Sequence, residues 1–235
     1  HLVTAERGGI VRQLDVALND TIYEEHVLLV IDEADVGDGD FGGEEEIDLE
    51  YVRPDLAEVH ERIGFGQDAA RPEAVAKRRK RGHRTARENI EHLCDGDSFI
   101  EYGSLVIAAQ RSRRDIDDLI RNTPADGMIT GVGRVNGDLF DESRSRCAIL
   151  SYDYMVLAGT QGKQNHKKKD RMFELAKEWQ LPVVLFAEGG GGRPGDTDGK
   201  GVAGLNCLAF TLFAQLSALV PIVGITTGRC FAGNA

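Results

Sequence analysis

The sequence predicts an α/β layer fold with crossover connections, preceded by a small all-β unit. Three observations carry that expectation. In the second half, apolar strand-like runs alternate with helical patterns, the arrangement that crossover connections produce. The first 31 residues instead break into short β-like pieces around the turns Gly8-Gly9 and Asn19-Asp20. Between these regions, residues 32–50 hold ten acidic residues, four glycines and no basic residue. Such a composition cannot bury enough apolar surface to order itself. The expected organisation is a β unit over 1–31, an acidic flexible linker over 32–50 and an α/β domain over 51–235.

Composition bounds the function. At 235 residues and 41% hydrophobic, the chain can bury a sizeable core. A net charge of -11 argues against bulk binding of nucleic acid or an anionic membrane. The four cysteines, Cys94, Cys147, Cys207 and Cys230, have no CxxC spacing. They read as reduced, buried thiols of a cytoplasmic protein, and no metal site is implied. The chain starts at His1 within a β-like pattern and ends inside an apolar stretch, so it reads as a fragment of a longer polypeptide.

In order, "IVRQLDV" and "TIYEEHVLLVI" are the strands of the β unit. "DLAEVHERI" is a short amphipathic helix with Leu56, Val59 and Ile63 on one face. "RPEAVAKRRKRGHRTARENIEHL" reads as helix, turn, helix, with Thr85 and Glu88 forming a capping-box pattern before the second helix. Its cluster Lys77 to Arg81 reads as a solvated helix face, with phosphate or nucleic-acid binding as the alternative. "GMITGVGRV" and "RCAILSYDY" are strands joined through an Asn136-Gly137 hairpin turn. "KQNHKKKDRMFELAKEW" sets Met172, Leu175, Ala176 and Trp179 at helical spacing. From Gly201 to Gly228 no residue is charged, but Asn206, Gln215 and Pro221 argue for a buried helix and a buried strand, "PIVGITT", over a membrane span.

The chemistry centres on "FAEGGGGRPGD", which follows the buried strand "PVVLF". Four glycines in a row let something approach the backbone closely and leave N–H groups free to hold a phosphate or an oxyanion. Nucleotide-binding motifs fail on spacing: the loop comes late in the chain, and no Ser or Thr follows Lys200. A second small-residue turn, "TTGRCFAGNA", follows the next strand. No Ser-His-Asp or paired-carboxylate pattern surrounds either turn, and His166 reads equally as a base or a surface helix residue. The pattern points to stabilisation of an oxyanion by backbone dipoles.

Three blocks then resemble one family, the carboxyltransferase subunits of biotin-dependent acyl-CoA carboxylases. They are "RKRGHRTARENIEHLCDGDSFIEYG", "PVVLFAEGGGGRPGD" and "VGITTGRCFAGNA", which together span about residues 71 to 235. In the second block Glu188 stands for the family's Asp, Gly189 for Ser and Gly192 for Ala, while Gly190, Gly191 and Arg193 are kept. In the third, Cys230 and Gly233 are kept, but Phe231, Ala232 and Asn234 differ, so acyl length does not transfer from the acetyl- and propionyl-CoA members. Residues 1–31 resemble the second half of a biotin carrier domain, with the modified lysine expected upstream of His1.

The resemblance implies a crotonase-like (ClpP/crotonase) β-β-α spiral domain after a partial biotinyl/lipoyl-like unit. It implies transfer of a carboxyl group from carboxybiotin to the α-carbon of an acyl-CoA through a thioester enolate. Gly190, Gly191 and Gly192 become the backbone oxyanion donors, and Gly233 shapes the same pocket. Arg193, Lys163, Lys167 and Lys168 are candidates for the CoA phosphates, each otherwise a solvated surface cation. The implied partners are biotin carrier and biotin carboxylase domains on the same polypeptide, the latter alone using ATP and Mg, and a second carboxyltransferase domain of another protomer in a homo-oligomer. Another crotonase-type acyl-CoA enzyme, a hydratase or isomerase, and a non-catalytic carrier or scaffold are the competing expectations.

Overall fold

The computed structural model describes residues 8–17, 20–35, 48, 50–198 and 208–234. The chain divides into two units, His1–Tyr51 and Val52–Ala235. In the first, β1 (Gly9–Leu14) pairs antiparallel with β2 (Leu29–Glu33), with a register shift between Val11 and Gln13. The bulged residue, Arg12, forms an ion pair with Asp32. Because Gly9 and Ile10 pair with Glu33 and Asp32, the strand runs two residues into the stretch expected as linker. Residues 36–47 and 49 of that stretch, and Asn19 of the expected turn, lie outside the described residues.

The second unit opens with α1 (Pro54–Phe65), α2 (Pro72–Lys80) and α3 (Ala86–Leu93). No residue of α1 is buried, so its apolar stripe is only part-covered. At α3 the capping box forms as expected: Glu88 N donates to Thr85 Oγ1 at 3.0 Å and Thr85 N donates to Glu88 Oε2 at 2.8 Å. Then follow β3 (Ile100–Tyr102), α4 (Ile116–Asn122), β4 (Met128–Arg134), α5 (Glu142–Ser145), β5 (Arg146–Tyr152), α6 (Lys163–Glu178), β6 (Val183–Gly189), α7 (Ala209–Ser217) and β7 (Ile222–Cys230).

The sheet order is β3-β4-β5-β6-β7, antiparallel up to β5 and parallel from β5 to β7. Parallel neighbours need crossovers, and α6 and α7 supply them. Strand periodicity then divides the core. Ala148 and Leu150 of β5 face Met172, Phe173, Leu212 and Leu216 of the two crossover helices. Cys147 and Ile149 face Ile90 of α3 on the opposite side. Being covered on both faces, β5 and β6 read as continuous apolar runs and not as alternating ones.

Three local expectations change. Asn136 does adopt a left-handed φ of 58°, but the β4–β5 connection is longer than a two-residue turn and includes α5. Gly137 N donates to Asp95 Oδ2 at 2.8 Å, so a side chain from another segment fixes this bend. Trp179 is 43% exposed beyond the end of α6, and Phe173 fills the core in its place. β7, expected as a buried strand, lies at the edge of the sheet and has no buried residue; the apolar helix before it is described only from Ala209, and Cys207 lies outside the described residues. Among the described residues, no helix is long and apolar enough to cross a membrane.

Candidate active site

Strand β6 delivers Glu188 and the glycine turn to the N-terminus of α6. Gln161 N donates to Gly191 O at 2.8 Å and Arg193 N donates to Gln161 O at 2.8 Å, which ties the turn to the residues just before the helix. The turn needs glycine where φ is positive, at 143° for Gly189 and 84° for Gly191. A Cβ on Gly189 would also overlap Gly159 O and the Asn234 amide.

Two carboxylates from other segments cap α6, whose own N-cap, Gly162, has no side chain to do so. Asp196 Oδ2 accepts from Lys163 N and Asp126 Oδ2 accepts from Asn165 N, both at 2.7 Å. They satisfy first-turn donors and complement the helix dipole. Arg193 lies between the two, paired with Asp126 and, through Nε at 2.7 Å, with Asp196. Asp126 sits in a left-handed conformation with φ 49° and is fully buried. Burial pushes its carboxyl above the ordinary range, and Arg193 opposes that shift. Gly162 is a steric requirement of this cluster, since a Cβ there would overlap the Arg193 guanidinium.

A second buried pair anchors the other side. Arg78 Nη1 donates to Glu188 Oε1 at 2.6 Å and Nη2 to Glu188 Oε2 at 2.7 Å, with 7% and 3% of the two residues exposed. The cluster from Lys77 to Arg81 is therefore not a uniformly solvated face. One of its cations holds the residue that leads into the glycine turn.

The expected donors separate. Gly190 N donates to Ala158 O at 3.1 Å and Gly191 N donates to Asn234 Oδ1 at 2.8 Å. Gly192 is exposed, and its N–H meets no acceptor among the described residues. Gly233 does come to the same place: its carbonyl accepts from Gln161 Nε2, and Asn234 beside it reaches the turn. Two of the four candidate cations are buried and not surface cations. Arg193 is buried in its carboxylate pair, and Lys168 is buried with Nζ donating to Ala125 O at 3.2 Å and Met128 O at 2.5 Å. Burial lowers the Lys168 pKa to about 8. Lys163 Nζ donates to Asp198 O at 2.9 Å, whereas Lys167 is exposed.

His166 is no surface residue. It is 4% exposed, and neither ring nitrogen has a hydrogen-bond partner among the described residues. It lines a mostly apolar cavity of about 440 Å³ with Leu185, Phe213, Gln161 and Gly233. Burial, then Lys169 and Arg193, lowers its pKa to about 4, so it is neutral at pH 7. Sequence reasoning missed Asn234, Asp126 and Gln161 as parts of the site. The only signal for Asn234 was its departure from a small-residue pattern, and the other two had none.

Comparison with known proteins follows the same blocks. The carboxyl transferase domain model matches residues 77–235. The propionyl-CoA carboxylase beta chain of Saccharopolyspora erythraea is 30% identical over 186 residues, covering 79% of this chain and 32% of that protein. The biotin-dependent long chain acyl-coenzyme A carboxylase beta4 subunit of Mycobacterium tuberculosis is 31% identical over 185 residues, covering 76% of this chain and 31% of that protein. A solved structure described as a single-chain, multi-domain long-chain acyl-CoA carboxylase superposes with a TM-score of 0.73 at 57% identity, covering 78% of this chain and 18% of that one. The chain thus spans about a third of the length of the curated relatives it matches.

Proposed function

The chain belongs to the carboxyl transferase domain family, and from that premise we propose that it forms one wall of the carboxyltransferase site of a biotin-dependent acyl-CoA carboxylase. The observation that carries the reading is the glycine turn, whose Gly192 N–H meets no acceptor among the described residues and whose three neighbouring carboxylates are held in arginine ion pairs, with the neutral His166 imidazole in the adjoining cavity. Glu188 is paired with Arg78, and Asp126 and Asp196 share Arg193. This donor set fits a reaction whose base arrives with the cofactor. Carboxybiotin, when bound, supplies CO2 and the ureido nitrogen that takes the α-proton.

The residues of this chain position and stabilise. Gly192 N–H donates to the thioester oxygen as negative charge develops there in the enolate. The Arg193 cluster and the Arg78–Glu188 pair hold that donor still from both ends of the turn, so little reorganisation accompanies the reaction. Gly190 and Gly191 act through the shape of the turn, their own N–H groups being engaged. Residues 51–235 are then a crotonase-like domain, 1–31 part of a biotinyl/lipoyl-like carrier and 32–50 the arm between them. The remaining partners are a biotin carboxylase domain, where ATP and Mg act, and a second carboxyltransferase domain from another copy, all in a cytoplasmic enzyme.

The reading is tested on the full-length enzyme with ATP, bicarbonate and acyl-CoAs from acetyl to palmitoyl. Avidin-sensitive carboxylation of at least one of them is expected. Hydration or isomerisation of an enoyl-CoA without carboxylation would overturn it.

A further inference from the structure

We propose that Lys168 is a positioning residue of the glycine turn: by gripping the strained segment Pro124–Gly127 it fixes Asp126, and through Asp126 the Arg193 that follows Gly192. That segment is unfavourable by itself, since Ala125, Asp126 and Gly127 take successive left-handed φ values of 55°, 49° and 70°. The surrounding structure must hold it. Lys168 Nζ donates to Ala125 O at 3.2 Å and to Met128 O at 2.5 Å, one carbonyl on each side of Asp126-Gly127. About one helical turn earlier, Asn165 N donates to the Asp126 carboxylate and Asn165 Nδ2 to Asp126 O. Helix α6 therefore grips the segment twice, and the free side of the Asp126 carboxylate meets Arg193.

The Lys168 ammonium has no carboxylate of its own. Its Nζ meets two carbonyls, and the acidic groups nearest it are already paired: Glu101 of β3 with Arg87 of α3 at 3.0 Å, and Asp126 with Arg193. Tyr102 of β3 and, on its own helix, Lys167 and Arg171 share the cavity beside it. Burial, against the pull of Glu101 and Asp126 and with Arg87 adding to it, lowers its pKa from 10.5 to about 8. At pH 7 the fold thus keeps a buried charge that destabilises it. Packing alone does not call for an ammonium here, whereas charge-assisted hydrogen bonds to the two carbonyls behind the Asp126–Arg193 pair do. The assignment rests on the carboxyltransferase reading for its effect on turnover, but not for its effect on the turn.

The first test uses the wild-type full-length enzyme. Between about pH 8 and 10.5 the unfolded chain binds more protons at Lys168 than the native one, so stability from this group rises with pH in urea unfolding. Over the same range kcat should fall about threefold or more while KM for acyl-CoA is kept, because a neutral amine holds the carbonyls less firmly. A lysine needed only for folding would not move the two in opposite directions. Lys168→Met should remove both trends and lower kcat about tenfold or more at pH 7. Hydrogen exchange of the Gly190 and Gly191 amides should quicken about tenfold in that variant, beyond any change in β5, which reports global stability. A wild-type kcat that does not fall above pH 8, or a folded Lys168→Met enzyme with unaltered kcat or unaltered exchange at the turn, would overturn the assignment. Quickened exchange at the turn, in an enzyme that carboxylates no acyl-CoA, would keep Lys168 as the clamp and sink the carboxyltransferase reading. Carboxylation with unaltered exchange would do the reverse.

Discussion

Asn234 accepts the Gly191 N–H through its side-chain Oδ1 at 2.8 Å, and its Nδ2 donates to Gly159 O at 2.9 Å and Glu188 O at 3.0 Å. One buried amide thus joins the second small-residue turn to the first and to the bend before α6. A carboxylate cannot do this, because the two carbonyls need donors.

Asn234→Ala should therefore destabilise the chain by about 2 kcal/mol or more, leaving a buried donor and two acceptors unmatched. Asn234→Asp should cost more than Ala, since it aims negative charge at two carbonyl oxygens. Urea unfolding measures both, and an Asp variant as stable as wild type would show that these bonds do not hold the turns together.

The Arg78–Glu188 pair gives a coupling prediction. Removing either partner strands a buried charge, so Arg78→Met or Glu188→Gln alone should cost about 3–5 kcal/mol. The double variant should cost clearly less than the sum. Additive losses in a double-mutant cycle would mean that the two groups act independently.

His166 sets a pH dependence. Its folded pKa of about 4 lies below its ordinary 6.5, so between these values the unfolded chain binds more protons than the native one. Stability from this group is complete above about pH 6.5 and is lost as pH falls through 4, by on the order of 3 kcal/mol. His166→Leu should flatten that part of the stability profile while costing little at pH 8. A variant that keeps the wild-type slope between pH 6.5 and 4 would assign the acid sensitivity elsewhere.

Gly192 carries the catalytic prediction. Its N–H meets no acceptor among the described residues, so Gly192→Pro in the full-length enzyme removes a donor without breaking a bond seen there. Turnover should fall about 100-fold or more while KM for acyl-CoA changes little. Wild-type turnover in a correctly folded variant would remove Gly192 from the oxyanion site.

Much was legible in the sequence because it was encoded locally. The capping box at Thr85, the helix over 163–178, the strand before the glycines and the alternation of strands and helices all follow from short-range patterns. So does the need for glycine where Gly189 and Gly191 take positive φ. These are statements about backbone preference and apolar period, which neighbouring residues determine by themselves.

The partners of the charged residues were not legible, because ion pairing depends on which segments the sheet brings together. Arg78 and Glu188 are 110 positions apart, and Arg193 and Asp126 are 67 apart. A run such as "KRRKR" or "NHKKKD" reads as solvated when only its own segment is in view. Packing α6 against β4 and β5 buried Lys168 and His166, and the crossover order brought Arg193 between two carboxylates. Sequence determined the turn and its glycines. Tertiary structure decided which of its N–H groups are engaged, since Ala158 O accepts from Gly190 and Asn234 Oδ1 from Gly191, while the Gly192 N–H meets no acceptor among the described residues.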